Sequence, residues 1–271
     1  MKTTVIVTTY NRPDALDSVV RGFFLQKDLD FDLIIADDGS HRHTTEIISR
    51  LKLEAPFEIS HVWQEDLGFR AAAIRNKAIK ASQGEYLIFT DGDCVPRANF
   101  VVNHKKLAEK GYFLSGNRVL LSPNLTREIL TNGSGISQWG SWTILRHYWA
   151  RDINRLLPLL SFTWLMPYRK SSPKRWEGVK TCNFSSWKSD LFEVNGFDEQ
   201  YEGWGLEDSD LVVRLLKNGV KHKNARQATP MLHLWHPEND RGGLERNGQR
   251  LRAIMSSDRI EANVGLKQID F

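Results

Sequence analysis

The feature that most constrains this chain is a series of short apolar runs, each ending in polar or acidic residues and each followed by a stretch of helical period. Thr3 to Thr8 is β-branched and runs into Thr9, Tyr10 and Asn11. Pro13 and Asp14 then open a pattern carried by Leu16, Val19, Val20, Phe23 and Phe24, which reads as a helix. Phe31 to Ala36 predicts a second strand, stopped by Asp37, Asp38, Gly39 and Ser40. A helix over Thr44 to Leu53, a strand over Ile59 to Trp63, a helix over Arg70 to Ala81 and a strand over Tyr86 to Thr90 continue the series, the last ending in Asp91, Gly92 and Asp93. Strands alternating with helices predict an α/β fold, a Rossmann-like and mostly parallel sheet flanked by helices. Ligands of such sheets bind beyond the carboxyl ends of the strands, where the polar clusters fall.

After a helix over Asn99 to Lys110 and a strand over Phe113 to Leu121 the pattern breaks. Residues 123–180 are rich in Trp, Arg, Lys, Ser and Pro, with a fragmentary helical period near Ile144 to Leu160, and read as an insertion in a single domain. Five of the nine tryptophans (Trp139, Trp142, Trp149, Trp164 and Trp176) lie in or beside it. The chain thus divides into residues 1–122, the insertion 123–180 and residues 181–271, where a helix over Asp208 to Asn218 and a strand near Thr229 to Trp235 restore order. With 37 basic and 33 acidic residues the formal charge is +4, too small for a nucleic-acid footprint but compatible with anionic ligands. Two cysteines, Cys94 and Cys182, make no disulfide framework, and no leader precedes Val5, so a reducing cytoplasm is expected. No apolar run reaches the roughly 18 residues of a spanning helix.

Three constellations carry chemistry. Asp91-Gly92-Asp93 puts two carboxylates at a strand mouth, hard oxygen ligands suited to Mg²⁺ or Mn²⁺ shared with substrate phosphates, although aspartates there also serve as turn formers. Glu207 and Asp208 open a helix after Gly203-Trp204-Gly205-Leu206. The helix dipole there favours an ionised carboxylate that could act as a general base, with simple capping as the alternative. Trp204 offers a ring on which a sugar can stack. His233 and His236 flank Trp235 after a buried strand, and one imidazole could join Asp93 on a metal. Gly68, Arg70, Arg75 and Asn76 sit at the start of a helix, where backbone N–H groups and guanidinium can meet a diphosphate. Asn183 is a polar residue among apolar ones that could line an acceptor site, and the cysteines read as small buried hydrophobes.

In this order the motifs resemble glycosyltransferase family 2, with the GT-A nucleotide-sugar-binding fold. They are Val5 to Pro13, Asp37-Asp38-Gly39-Ser40, Arg75-Asn76, Asp91-Gly92-Asp93, Asn195-Gly196-Phe197-Asp198-Glu199 and Gly203 to Asp208. The C-terminal half resembles the galactosyltransferase-type module of chondroitin-type polymerases. The resemblance implies that residues 1–122 hold a nucleotide sugar and that residues 181–271 form the acceptor-binding and catalytic half. It also implies that Thr8, Tyr10, Asn11 and Asp38 contact base and ribose, and that Asp91, with Gly92, Gly68 and Arg75 nearby, faces the ribose and diphosphate. Asp93 and His236 would hold Mn²⁺ or Mg²⁺, with His233 in reserve. Asp208 would be the base, and Glu207 and Trp204 would position the acceptor. Where the family pattern usually shows a second glycine before the Glu-Asp pair, Leu206 stands here. The implied reaction is transfer from a UDP-sugar to a glycan or lipid-linked glycan hydroxyl with inversion, in bacterial surface polysaccharide or lipopolysaccharide synthesis.

Two rival readings stand beside it. A sugar nucleotidyltransferase also uses paired acids and a metal, but its basic glycine-rich loop near the start is absent. A noncatalytic carbohydrate-binding module would use the tryptophans as platforms. A dinucleotide oxidoreductase is disfavoured because no G-x-G-x-x-G follows the first strand. The insertion suggests an acceptor lid, peripheral contact with the inner membrane face, or plain core packing of its tryptophans.

Overall fold

The computed structural model describes residues 1–133, 135–159, 166–238 and 240–269; Trp164 of the tryptophan cluster lies outside them. The elements in chain order are β1 (Thr3–Thr9), α1 (Pro13–Phe24), β2 (Asp32–Asp37), α2 (Arg42–Glu54), β3 (Ile59–Trp63), α3 (Ala71–Ala81), β4 (Tyr86–Asp91), β5 (Cys94–Pro96), α4 (Phe100–Leu107), β6 (Tyr112–Ser115) and β7 (Asn117–Leu120). There follow α5 (Pro123–Asn132), α6 (Ser141–Trp149), α7 (Met166–Arg169), β8 (Asn183–Trp187), α8 (Lys188–Glu193), α9 (Glu207–Lys217), β9 (Lys221–Asn224), β10 (Pro230–His233) and α10 (Leu244–Ser256).

A seven-stranded sheet runs β3-β2-β1-β4-β8-β6-β9, and β5-β10-β7 form a smaller sheet. The four strands from β3 to β4 are parallel, β8 is antiparallel to both its neighbours, and β9 is parallel to β6. Alternate residues of the runs feed opposite faces, as the two-residue period of a strand demands. Val5, Val7, Leu33 and Ile35 pack with α1 and α2, while Ile6, Ile34, Leu87 and Phe89 pack with α3 and α9. In register, Thr9 pairs with Asp37 and Thr8 with Asp91, so three polar strand ends open at one edge.

Three expectations are corrected. The single strand over Phe113 to Leu121 is two strands in different sheets, broken at Gly116. A Cβ there would lie 2.2 Å from the Asn183 side chain, so only glycine lets the chain pass under it and change sheets. Residues 183–187, to which the sequence pattern assigns no element, form β8 in the middle of the large sheet. The insertion also opens with an unforeseen helix, α5, which Pro123 starts, Ser122 caps by accepting from the Leu125 N–H at 3.2 Å, and Gly133 ends at φ 63°. Leu125, Ile129, Ile144 and Ile153 of the insertion join the same core as β1 and α1.

Candidate active site

Arg75 organises the cleft. It sits on α3, 95% buried. Its Nε donates to Thr8 Oγ1 at 3.2 Å, Nη2 to Asp91 at 3.2 Å and Nη1 to Glu207 at 3.1 Å, and Asp208 lies 3.6 Å from Nη1. One guanidinium fork therefore ties the end of β4 to the start of α9, which only a planar multidentate cation can do. The sequence reading put this guanidinium on a diphosphate. In the structure three of its five N–H groups are directed at Thr8, Asp91 and Glu207, with Asp208 close by. Gly68 is corrected too: α3 begins at Ala71, and Gly68 lies in the preceding loop at φ 86° with its N–H on Asp66.

Asp208 is gripped by Thr181, whose Oγ1 donates to Oδ1 at 2.5 Å and whose backbone N–H donates to Oδ2 at 3.2 Å. Neither Asp208 nor Ser209 caps α9. Leu206 occupies the cap at φ 77° with no side-chain hydrogen bond. That left-handed backbone suits glycine, and a leucine in it costs on the order of 1–2 kcal/mol. Glu207 departs from the expected ionised carboxylate: burial, and then the Asp208 charge, push its pKa to about 7 against the pull of Arg75. Desolvation outweighs the helix dipole, whose worth is typically 0.3–1 kcal/mol. The Glu207 Oε2 atom is buried without a hydrogen-bond partner.

The Glu207 shift sets a pH signature. The folded pKa of about 7 lies above the ordinary glutamate value of 4.5, so the folded chain holds a proton that the unfolded chain releases, and stability falls as pH rises from 4.5 to 7. Glu207→Gln lacks that loss. Unfolding free energies from urea melts should therefore tilt toward the variant across this window by up to about 3 kcal/mol, and parallel curves would refute the shift.

Across the cleft, Asp93 faces both imidazoles. Asp93 Oδ2 is 3.3 Å from His236 Nε2 and Oδ1 is 3.6 Å from His233 Nε2. His236 Nδ1 lies 2.6 Å from the Pro237 carbonyl, which can only accept, so Nδ1 carries a hydrogen there. The other nitrogen then turns to Asp93, either as an imidazolium donor or with a lone pair that calls for a cation between the two. His233 is 93% buried and its Nε2 has no partner; burial, with Arg118 and His236 beside it, lowers its pKa to about 3 and keeps it neutral. Asp93, Cys94 and His233 also place ligand atoms within 4.8 Å of one another. An orphaned neutral imidazole nitrogen beside a carboxylate fits a divalent cation.

The other expected residues fall around this cleft in different ways. Asp38 is buried and accepts from the Arg70 N–H at 2.8 Å and from Gln64, and burial raises its pKa. Asn11, at φ 47°, accepts from the His41 N–H while its own N–H donates to Ser40 Oγ, knitting the first two strand ends together. Tyr10 is half exposed with its hydroxyl on Asp66. Gly92 lies under Thr9, where a Cβ would come within 3.0 Å of Oγ1. The Trp204 loop is pinned by the Gly203 N–H on Phe69 O and by Asn247 on Glu202 O and Gly205 O, and Arg241 lies over the indole at 5.3 Å.

Asn183 is corrected outright. It is 1% exposed, donates to Asn117 O and Thr229 O, and accepts from Thr229 Oγ1, with His104 Nε2 3.2 Å away. It pins β8 to β7 and β10 and lines no open surface. Asn183→Ala should cost about 2–4 kcal/mol in urea unfolding, because several buried groups lose their partner at once, with donor KM unchanged in the folded fraction. Loss below about 0.5 kcal/mol would refute the pin.

Sequence reasoning missed Thr181 and Arg118. Burial opposes the charge of Arg118, but Cys182, Cys94, Asp91 and Asp93 around it raise its pKa above the ordinary arginine value, which places a cation by the acids. A charged residue at the start of a short strand, Asn117–Leu120, was the available signal.

The seven-stranded sheet with acids at its mouth is the GT-A fold. It matches, at TM-score 0.62 and 17% identity over 94% of this chain and 65% of the other, a mannosyltransferase from Pyrobaculum calidifontis solved in complex with GDP-Man and Mn²⁺. The family model "Glycosyl transferase family 2" matches residues 4–164, and "N-terminal domain of galactosyltransferase" matches residues 168–237. The chain belongs to glycosyl transferase family 2. It is 26% identical over 239 residues to chondroitin synthase of Escherichia coli, covering 83% of this chain and 33% of that one. To validoxylamine A glucosyltransferase of Streptomyces hygroscopicus subsp. jinggangensis it is 26% identical over 243 residues, 83% of this chain and 53% of the other. The chain thus spans about a third to a half of the length of these relatives.

Proposed function

We propose that the chain transfers a sugar from a nucleotide diphosphate donor, UDP-sugar by preference, to a hydroxyl of a glycan or lipid-linked glycan, with inversion, in surface polysaccharide synthesis. The observation that carries this is the Arg75 fork, which draws Asp91 of the strand-end cluster and Glu207 and Asp208 of the C-terminal half around one cleft. Relatives that build or decorate glycans, and a neighbour solved with a nucleotide sugar, support the same reading.

In this reading Asp208 accepts the proton of the attacking hydroxyl, while Thr181 fixes its orientation and Arg75 offsets the charge crowding between it and Asp91. Glu207, about half protonated at neutral pH, would help to position the acceptor beside Asp208 while its Oε1 holds Arg75. The first strand ends, with Thr8, Tyr10, Asn11 and Asp38, receive the nucleoside. Asp93 with His236 and His233 would hold Mn²⁺ or Mg²⁺, which neutralises charge on a diphosphate. Arg118 adds positive charge on the same side.

The test is hydrolysis of a panel of nucleotide sugars by the isolated chain with Mn²⁺ and no acceptor, repeated after chelation. UDP release that needs the metal supports the reading. Silence across UDP-, GDP- and dTDP-sugars, with and without oligosaccharide acceptors, sinks it, and metal-dependent pyrophosphate exchange would favour a nucleotidyltransferase instead.

A further inference from the structure

The insertion carries a face that catalysis does not use. On α6, Ile144 and His147 point inward; His147 stacks on Trp139 at 4.5 Å and bonds through Nδ1 to Asp152 at 2.9 Å. Asp152 in turn accepts from Ser122 Oγ at 3.2 Å, so the inner face of the helix is tied to the start of α5. The outer face is apolar and cationic. Trp142, Arg146 and Trp149 follow one another at the i, i+4, i+7 spacing of a single helix stripe. Trp142 is 84% exposed and Trp149 76%, and Leu157, just beyond the helix, is 72% exposed. Tyr148 meets Trp149 edge-on, and Arg151 and Arg155, in the chain between the helix and Leu157, are exposed as well. Among the described residues no carboxylate lies within salt-bridge distance of Arg146, Arg151 or Arg155.

Two indoles held in water on one helix stripe, with Arg146 between them and further unneutralised arginines following in the chain, match the chemistry of one kind of surface. Indole rings settle at the headgroup level of a bilayer, and guanidinium groups meet anionic headgroups there. A second copy of the chain would set arginine against arginine. A neutral glycan would satisfy the indoles but leave the arginines without counter-charge.

We propose that the face formed by Trp142, Arg146, Trp149, Arg151, Arg155 and Leu157 docks on an anionic lipid surface and lays α6 in the interface. No helix among the described residues is long and apolar enough to cross a membrane, so attachment of these residues is interfacial. The segment is also pinned to the cleft: the Leu121 N–H donates to His233 O, Asn154 N–H to Leu120 O, and Trp235 N–H to Thr126 Oγ1. A docked α6 therefore brings the lipid surface within a few residues of the strand that ends at His233. The inference goes beyond the catalytic reading and stands without it, because its readout is binding.

The experiment is co-sedimentation of the whole chain with vesicles of phosphatidylcholine alone or with about a third phosphatidylglycerol, alongside tryptophan emission. The expected result is binding to the anionic vesicles with a blue shift, and release as salt rises from about 0.1 M to about 1 M, where the screening length falls from about 10 to about 3 Å. Replacing each arginine by Gln should weaken binding about fivefold. The double variant Trp142→Ser/Trp149→Ser should weaken it about tenfold or more and abolish the blue shift. Thermal melting keeps the variants honest, since these side chains are exposed and their loss should leave the unfolding midpoint in place. The proposal is overturned if the wild-type chain stays in the supernatant at low salt or if the tryptophan variant binds as the wild type does. It is equally overturned if the indole signal responds to soluble oligosaccharide and not to vesicles, which would make this face an acceptor platform.

Discussion

Asp208→Asn is expected to lower turnover by about 10² to 10⁴ while donor affinity stays within a few-fold, the span that general-base help supplies. The replacement is close to isosteric and its contacts with Thr181 survive, while the ion pair with Arg75 is lost. The Thr181 N–H needs an oxygen to bond, so the amide oxygen of the asparagine faces it and the new NH₂ points at Thr181 Oγ1, which can accept. What disappears is the lone pair that takes the acceptor proton. A second consequence follows, because the Asp208 charge is one cause of the raised Glu207 pKa: in the variant Glu207 should titrate lower, moving any residual acid-side limb of the pH profile toward acid. Steady-state kinetics with the best donor check the first effect and a pH profile the second. Turnover near wild type would remove Asp208 from the base role and point to Glu207, whose buried, partnerless oxygen is the other basic atom at the head of α9.

The first half of the fold could be read from the chain because β1, β2 and β4 are apolar runs buried on both faces; these fall within about one residue of the predicted bounds, the usual uncertainty of element ends, and the edge strand β3, only partly buried, falls on the predicted residues. What could not be read has a common physical cause. β8, Asn183-Phe184-Ser185-Ser186-Trp187, is fully buried yet polar, because Ser185 bonds Tyr86 and His104 and Asn183 bonds two carbonyls. Long-range partners satisfy those groups, and no local pattern announces them. The polar residue in an apolar setting was noticed, but its neighbours in space were not, so a structural pin read as a ligand contact. Likewise α10 shows few apolar residues, since only Leu251 and Ile254 anchor it to α9. In the cleft, the residue types and strand-end placement of Asp91, Asp93 and Asp208 stood out in the sequence. The role of Arg75 did not, because its partners Asp91 and Glu207 lie 16 and 132 residues away and a helix arginine has many possible neighbours.

That fork yields the other large effect. Arg75→Met should leave Asp91, Glu207 and Asp208 crowded in a partly buried cleft with no cation at their centre. Breaking one side of a buried ion pair costs about 3–5 kcal/mol, so the variant should lose stability of that order at pH 8 and turnover with it. Acid should restore part of the stability, because Asp91 and Glu207 already have raised pKa values from burial and would protonate readily once the guanidinium no longer opposes it. The sign is set by those directions: carboxyls protonated in the folded chain at a pH where the unfolded chain ionises favour folding as pH falls. Arg75→Lys separates charge from geometry. An ammonium keeps the cation but presents its donors from a single atom, and it cannot span Thr8, Asp91 and Glu207 together. Stability should return in large part while turnover stays low, since Asp91 and Asp208 would no longer be held in register. Equal loss of both quantities in the lysine variant would show that Arg75 supplies only charge, and full activity in it would show that the fork holds nothing the reaction needs.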